Sequence, residues 1–177
     1  MTLEQISDSI PGYAKDLRLN LSSVLAQTEL TTQQAWGTAV ATALASRNPC
    51  LFRAISAEAE KHLSNEALEG AKSAAAVMGM NNIYYRFQHL AGNEKYATIP
   101  ARLRMNVIRT HGTDPLDFEL WCTAVSAVNG CGKCIVAHEK VLLEKGVTAE
   151  VIVAAVRIAS VIHAIAAVLD AESSSAC

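Results

Sequence analysis

Residues 113–148 read TDPLDFELWCTAVSAVNGCGKCIVAHEKVLLEKGVT. This stretch decides the fold because it contains the start and stop signals of two successive helices. Thr113-Asp114-Pro115 supplies a capping residue and a proline at the first helical position, and Asn129-Gly130 interrupts the helical pattern. The pattern resumes at Cys131 and stops at Gly146. We therefore predict a helical hairpin here.

Similar signals divide the first half of the chain. Thr31 opens a capping box, Asn48-Pro49 supplies a cap and a first helical residue, and Ser64 caps a third helix. Gly92 lies beyond the end of that helix, and we predict a loop from there to Arg102. Apolar residues recur with a period near 3.6 and strict alternation is absent. The sequence therefore predicts an all-α fold.

The two series of helices resemble each other. Trp36-Gly37-Thr38-Ala39-Val40 matches Trp121-Cys122-Thr123-Ala124-Val125, and the flanking helix signals recur at nearly the same spacing. We predict one all-helical domain over residues 1–177, with a degenerate internal duplication whose halves span approximately 30–92 and 113–170. The alternative is coincidence in an alanine-rich chain. Only the second half carries paired cysteines.

Composition and charge limit the partners. The chain is 51% hydrophobic and 18% charged, below the roughly 25% charge usual in soluble domains, so we expect a homo-oligomer. The apolar to aromatic stretch from Met78 to Phe87 is predicted to be core or subunit interface. A formal net charge of -2, without any basic block, argues against nucleic acid as a partner.

Two apolar features bear on the location of the protein. The first thirty residues contain no apolar segment typical of a secretory signal, so we expect a cytoplasmic protein with no membrane partner. The most apolar stretch, from Val151 to Leu169, is interrupted by Arg157 and His163. We predict that it is a buried helix rather than a membrane span.

Candidate chemistry centres on Cys131-x-x-Cys134-x-x-x-His138. On a helix these three residues lie within about 60° of one another, since each residue advances the helix by about 100°. A cysteine pair at a helix start favours a thiolate and brings two sulfurs within reach of a disulfide. The predicted hairpin could also bring the Glu119 carboxylate near the thiols and His138, where it could orient the imidazole or relay a proton.

Other interpretations of these residues remain open. Cys122, Cys131, Cys134 and His138 could instead supply four ligands to a structural zinc, which would make the protein a zinc-stabilised interaction module. The two paired cysteines could be buried helix residues without chemistry. Glu119 could be a solvated surface carboxylate. The odd number of cysteines, five, disfavours a framework of structural disulfides.

The sequence resembles the alkyl hydroperoxidase members of the carboxymuconolactone decarboxylase-like family over nearly its whole length. The resemblance includes five segments, which are Tyr13-Ala14-Lys15-Asp16, Asn20-Leu21-Ser22-Ser23, Met78-Gly79-Met80-Asn81-Asn82, Arg104-Met105-Asn106 and the stretch from Glu119-Leu120-Trp121 through Cys131 and Cys134 to His138. It implies an all-α fold with an internal repeat, commonly a homotrimer. It also implies an antioxidant peroxidase that holds no tightly bound cofactor.

The resemblance implies two protein partners. A lipoyl group on a 2-oxoacid dehydrogenase subunit would re-reduce the cysteine pair, and the reduced pair would donate electrons to the peroxiredoxin alkyl hydroperoxide reductase C. Some relatives carry His immediately before the second cysteine, whereas this chain has Lys133, whose charge could favour a nearby thiolate. One alternative is a thiol–disulfide adaptor with little peroxidase activity. A second is a lactone decarboxylase of the same broader family, but that reaction would not use the cysteine pair.

Two physical arguments disagree about which cysteine attacks the peroxide. The helix dipole favours Cys131, whereas helical side chains lean toward the N-terminus and so bring His138 over Cys134. We predict that Cys134 is the peroxidatic residue and forms a sulfenic acid, with His138 as its base and Glu119 as proton relay. Cys131 is then the resolving residue and proton donor, and we expect it to have the more approachable sulfur.

Overall fold

The structure, a computed structural model, describes residues 1–172. Within that range every regular element is helical, which confirms the all-α prediction. A 3₁₀ turn at Gly12–Ala14 accompanies the α-helices. The helices are α1 (Leu3–Ser9), α2 (Lys15–Leu25), α3 (Thr32–Ala45), α4 (Pro49–Ala59), α5 (Asn65–Ala91), α6 (Glu94–Thr98), α7 (Val107–Thr110), α8 (Pro115–Val128), α9 (Gly132–Glu144) and α10 (Ala149–Glu172).

The predicted start signals act as caps. Thr31 and Gln34 form a reciprocal capping box at the start of α3. The Asn48 side chain accepts a hydrogen bond from a backbone amide of α4, and the Ser64 side chain does the same at α5. The Asp114 side chain accepts two backbone hydrogen bonds at the start of α8. These helix starts are therefore set by local sequence.

Short helices depart from the predictions. The segment from Gly92 to Arg102 was predicted to be a loop, which is wrong in part because α6 lies inside it with Asn93 as its capping residue. The sequence pattern also left α1 undetected, although Thr2 and Gln5 form a capping box there. Both helices are too short for an apolar period to show, so only their caps mark them.

A close contact between α3 and α8 positions the helix that carries Glu119. The indole ring of Trp121 is buried against Gly37, where an added Cβ would overlap the ring. The Trp121 Nε1–H donates to the Gln34 carbonyl oxygen at 3.3 Å. The buried Asp117 carboxylate accepts hydrogen bonds from the Gln33 and Gln34 side chains at 2.7 and 3.0 Å. The start of α8 is thereby held to the start of α3.

Helix α10 is long and apolar enough to cross a membrane by length and composition, and half of its most apolar window is buried inside the protein. It packs against α2, α3 and α8. Ile158, Ile162 and Ile165 are fully buried on its inner face, and Arg157 bonds Glu29 on its outer face. This amphipathic burial agrees with the prediction of a core helix.

Each predicted repeat half contains three helices in the same order. The first half holds α3, α4 and the long α5, and the second holds α8, α9 and the long α10. The origin of this pattern in a duplication stays a prediction.

Candidate active site

The turn between α8 and α9 sets the position of the cysteine pair. Gly130 has a φ of +65°, a conformation that glycine adopts without strain. The Cys131 amide then donates to the Ser126 carbonyl oxygen at 3.0 Å, so the chain turns back before α9 begins. Cys131 is the residue that caps α9.

A buried side chain of α5 fastens this turn. Asn82 donates through Nδ2 to Ser126 Oγ and accepts through Oδ1 from Asn129 Nδ2, both at 2.9 Å. The Arg86 guanidinium donates to the Asn129 carbonyl oxygen. Asn82 is fully buried, and both polar atoms of its side chain are paired. The start of α9 is therefore fixed relative to α5 as well as α8.

Cys131 and Cys134 form a disulfide, with 5.3 Å between their Cα atoms. The sulfur of Cys131 also accepts a hydrogen bond from the Cys134 amide at 3.3 Å. That amide belongs to the first turn of α9, where free N–H groups stabilise negative charge. The pair is thus a dithiol/disulfide couple in its oxidised form, and a thiolate released at Cys131 would be stabilised by the helix start.

The two cysteines are both buried, but they differ in their position relative to a cavity. Cys131 is 0% exposed, whereas Cys134 is 5% exposed and lines a cavity. The prediction that Cys131 has the more approachable sulfur is therefore wrong. Cys131 is buried although Gly130 before it is exposed, and its amide bonds the carbonyl oxygen of the buried Ser126.

Glu119 and His138 face each other between α8 and α9. Glu119 Oε2 lies 2.6 Å from His138 Nδ1, and both side chains are largely buried. A carboxylate only accepts hydrogen bonds, so Nδ1 carries the proton and Nε2 is the basic nitrogen of the neutral ring. Glu119 therefore fixes the tautomer that lets His138 accept a proton.

A cavity of about 250 Å³ opens beside Cys134 and His138. Its walls are mostly apolar, and its volume suits one small organic molecule. Met78 and Tyr85, predicted to be core or interface, lie in its wall. The residues around it are Met78, Asn81, Tyr85, Met105, Ile108, Lys133, Cys134, Ala137 and His138.

Several of these wall residues were not predicted from sequence to belong to the active site. Met78, Asn81 and Tyr85 are spaced by three and four residues, so they share one face of α5. That shared helix face could have been recognised from the sequence. The spacing could not show that the face turns toward the cysteines, because the packing of α5 against α9 is a tertiary contact.

The Lys133 ammonium is directed to α5. Its Nζ donates to Gln88 Oε1 at 3.1 Å and lies 5.5 Å from the centre of the Tyr85 ring. Lys133 therefore closes one side of the cavity by a cation–π contact and a hydrogen bond. Its electrostatic effect on a thiolate stays a prediction.

The four proposed zinc ligands do not assemble. Cys122 is buried within α8, and burial raises the pKa of its thiol well above the usual range, an effect that the nearby Glu119 charge increases. Cys131 and Cys134 are bonded to each other. Over residues 1–172 no three His, Cys, Asp or Glu side chains are grouped so that they could hold a metal ion. The donor geometry thus does not support a zinc-stabilised module.

Comparisons with known proteins agree with this geometry. Residues 94–173 match the model of the carboxymuconolactone decarboxylase family, a range that includes α8 and α9. A protein of Solibacter usitatus named alkyl hydroperoxide reductase AhpD is 64% identical over 173 residues, which cover 98% of each chain. Another of that name, from Acidobacterium capsulatum, is 62% identical and covers 97% of this chain and 94% of its own. A third, from Streptomyces coelicolor, is 52% identical over 98% of this chain and 97% of its own.

Proposed function

Because this chain belongs to the carboxymuconolactone decarboxylase family, and within it to the AhpD proteins, we propose that it is a thiol peroxidase that reduces alkyl hydroperoxides. The observation that carries this function is the Cys131–Cys134 disulfide beside the Glu119–His138 pair, at the wall of an apolar cavity. The reduced form of this pair, two thiols, provides the two electrons that a hydroperoxide requires and becomes the disulfide. The cavity provides apolar surface for an alkyl group.

The oxidative half-reaction consumes both thiols. The Cys134 thiolate attacks the hydroxyl oxygen of R–O–OH, the O–O bond breaks, and an alkoxide leaves and is protonated to the alcohol. Cys134 becomes a sulfenic acid. The Cys131 thiol then attacks the Cys134 sulfur, water leaves, and the disulfide forms. One hydroperoxide and two thiols thus give one alcohol, one water and one disulfide.

The position of Cys134 at the cavity, where a hydroperoxide can reach it, supports Cys134 as the attacking residue. Its sulfur lines the cavity that also reaches His138, whereas Cys131 is fully buried. His138 Nε2 takes the thiol proton of Cys134 and returns it to the departing alkoxide, and Glu119 stabilises the imidazolium formed between these steps. The helix dipole does favour Cys131, but a hydroperoxide must reach the sulfur it oxidises.

In the reductive half-reaction too, the sulfur at the cavity, that of Cys134, is the one within reach of the incoming thiol. A dihydrolipoyl thiolate entering the cavity would attack the Cys134 sulfur and release Cys131 as a thiolate. Cys131 suits this role because the Cys134 amide and the start of α9 stabilise its negative charge. The second dihydrolipoyl thiol then displaces Cys134, which restores both thiols and leaves oxidised lipoyl. The lipoyl group is a substrate here, and no tightly bound cofactor takes part.

We propose that the reduced pair also passes electrons to the peroxiredoxin alkyl hydroperoxide reductase C. The same disulfide chemistry serves this exchange, and a protein acting only in this way is the thiol–disulfide adaptor alternative. Coupled turnover separates the two activities. An NADH-linked lipoylated 2-oxoacid dehydrogenase subunit is supplied, and either cumene hydroperoxide or oxidised peroxiredoxin is added. We expect NADH consumption with both acceptors, and consumption with the peroxiredoxin alone would assign the protein as an adaptor.

We propose a homotrimer as the assembled state. Three apolar side chains of α5 stand 53%, 54% and 74% exposed at Ile83, Phe87 and Leu90, spaced so that they share one helix face. Burying this stripe between copies would remove it from water. Light scattering at micromolar concentration should give three times the mass of the chain, and the mass of one chain would contradict the proposal.

A further inference from the structure

A second asparagine of α5, Asn81, carries a side-chain oxygen that is unpaired within the described part of the chain. Asn81 is 4% exposed, and its Oδ1 atom is buried without a hydrogen-bond partner among residues 1–172. The next residue, Asn82, has the same side chain in the same helix and pairs both of its polar atoms. Buried polar atoms are nearly always paired, because an unpaired one loses its water without compensation. Asn81 Oδ1 therefore does not stabilise the fold by a hydrogen bond, as Asn82 does.

Asn81 lies where its side chain can contact a molecule bound in the cavity. Asn81 lines the cavity beside Cys134, and its backbone carbonyl oxygen lies 4.0 Å from the Cys134 sulfur. The carboxamide is thus attached at the point where α5 touches the reacting sulfur. The remaining wall residues of α5, Met78 and Tyr85, bring mainly apolar surface to the same cavity.

We propose that the Asn81 carboxamide binds the hydroxyl end of the hydroperoxide, with Oδ1 accepting the hydrogen bond of the R–O–O–H group. This inference rests on the proposed peroxidase function and adds a substrate-binding residue to it. A hydroperoxide has one hydrogen-bond donor, which is its O–H group. An unpaired acceptor in a mostly apolar cavity matches that donor, while the basic nitrogen of His138 serves the thiol proton in the proposed reaction.

The hydrogen bond would orient the bond that breaks. The Cys134 sulfur attacks the oxygen that carries the hydrogen, and the O–O bond breaks on the opposite side of that oxygen. When Asn81 Oδ1 holds the O–H group, the alkoxide oxygen and its alkyl group point away from Asn81. They then lie toward the apolar wall at Met105 and Ile108. The hydrogen remains on the transferred oxygen and becomes the proton of the sulfenic acid. Asn81 therefore needs to neither gain nor lose a proton.

The test compares two buried atoms without partners. Ser56 Oγ on α4 is the other buried side-chain nitrogen or oxygen atom that lacks a partner among residues 1–172, and Ser56 is outside the cavity. Asn81→Leu removes the carboxamide at similar volume, Asn81→Ala removes it with loss of volume, and Ser56→Ala is the matched control. Within residues 1–172 none of these changes removes a side-chain hydrogen bond, so the unfolding temperature of Asn81→Leu should not fall.

Single-turnover kinetics give the readout. Reduced protein is mixed with tert-butyl hydroperoxide, and loss of thiols is followed with time. The rate constant should fall about three- to tenfold in both Asn81 variants, which corresponds to the loss of one hydrogen bond. It should be unchanged in Ser56→Ala. Alkylation of the Cys134 thiol by iodoacetamide, which needs no peroxide, should keep its wild-type rate and pH profile in every variant.

Each outcome has one meaning. Wild-type rates with hydroperoxide in both Asn81 variants would overturn the inference. An equal loss of rate with iodoacetamide would also overturn it, because Asn81 would then act on the thiol rather than on the peroxide. Failure of the wild-type protein itself to react with hydroperoxide would instead refute the proposed function.

Discussion

Replacing Glu119 by Gln should slow the oxidation of the reduced protein by alkyl hydroperoxide roughly 10- to 100-fold. The substitution keeps the size of the side chain and removes the negative charge that lies 2.6 Å from His138 Nδ1. A hydrogen bond to a charged group contributes about 1.5–3 kcal/mol, and each 1.4 kcal/mol is about a tenfold change in rate. Gln can also donate to Nδ1, which would place the ring proton on Nε2 and prevent that nitrogen from accepting the thiol proton.

The assay is single-turnover oxidation of the two thiols by cumene hydroperoxide at neutral pH. Glu139→Gln is the matched control, since it removes a carboxylate next to His138 in sequence that is neither bonded to the imidazole nor part of the cavity wall. That variant should react at the wild-type rate.

A double-mutant cycle tests how Glu119 acts. Because Glu119 touches only the imidazole in this scheme, it should add nothing once the imidazole is gone. The variant with both Glu119→Gln and His138→Asn should therefore react no more slowly than His138→Asn alone. Additive losses in that double variant would refute the reasoning, as would a wild-type rate in Glu119→Gln.

Three further predictions concern stability and reactivity. Gly37→Ala should lower the free energy of unfolding by about 1–3 kcal/mol in urea titrations, because the new methyl group would overlap the buried Trp121 ring; an unchanged midpoint would contradict this packing. Asn82→Ala should cost about 1–3 kcal/mol for each partner left unpaired, including the buried Ser126 hydroxyl, and a neutral effect in the same assay would refute the proposed anchoring. The Cys122 thiol should resist iodoacetamide at pH 8 until the protein is denatured, because its raised pKa keeps it protonated there, and rapid native labelling would contradict its burial.

Local sequence determined the parts of the fold that depend on neighbouring residues. Thr31, Asn48 and Ser64 each cap a helix within three residues of themselves, so their effect is visible in a short stretch of sequence. The hairpin through Asn129-Gly130 is similarly local, and it brings Glu119 to His138 across α8 and α9. The geometry of that pair was therefore within reach of sequence reasoning, while its role in proton transfer stays a prediction.

Features that depend on packing were missed. Cys131 is buried where the chain turns back on Ser126 and Asn82 of α5 bonds Ser126, and the position of Cys131 at a helix start does not reveal this burial. Asn81 and Asn82 are adjacent and identical in type, yet one pairs its polar atoms and the other faces the cavity. Only the rotation of α5 against α8 and α9 distinguishes them.

Mass spectrometry of Cys134 after one equivalent of cumene hydroperoxide tests the central claim most directly. Trypsin cleaves after Lys133, so Cys131 and Cys134 fall on separate peptides, and Cys134 is the only cysteine on its peptide. Cys131 shares its peptide with Cys122, so fragment ions are used to assign an added oxygen to one of those two residues. In Cys131→Ser, Cys134 should gain one oxygen rapidly and persist as a sulfenic acid, since no resolving thiol remains. In Cys134→Ser, Cys131 should show no fast oxidation because it is buried away from the cavity. Rapid sulfenylation of Cys131 in the Cys134→Ser protein, with Cys134 unreactive in the other variant, would contradict the account.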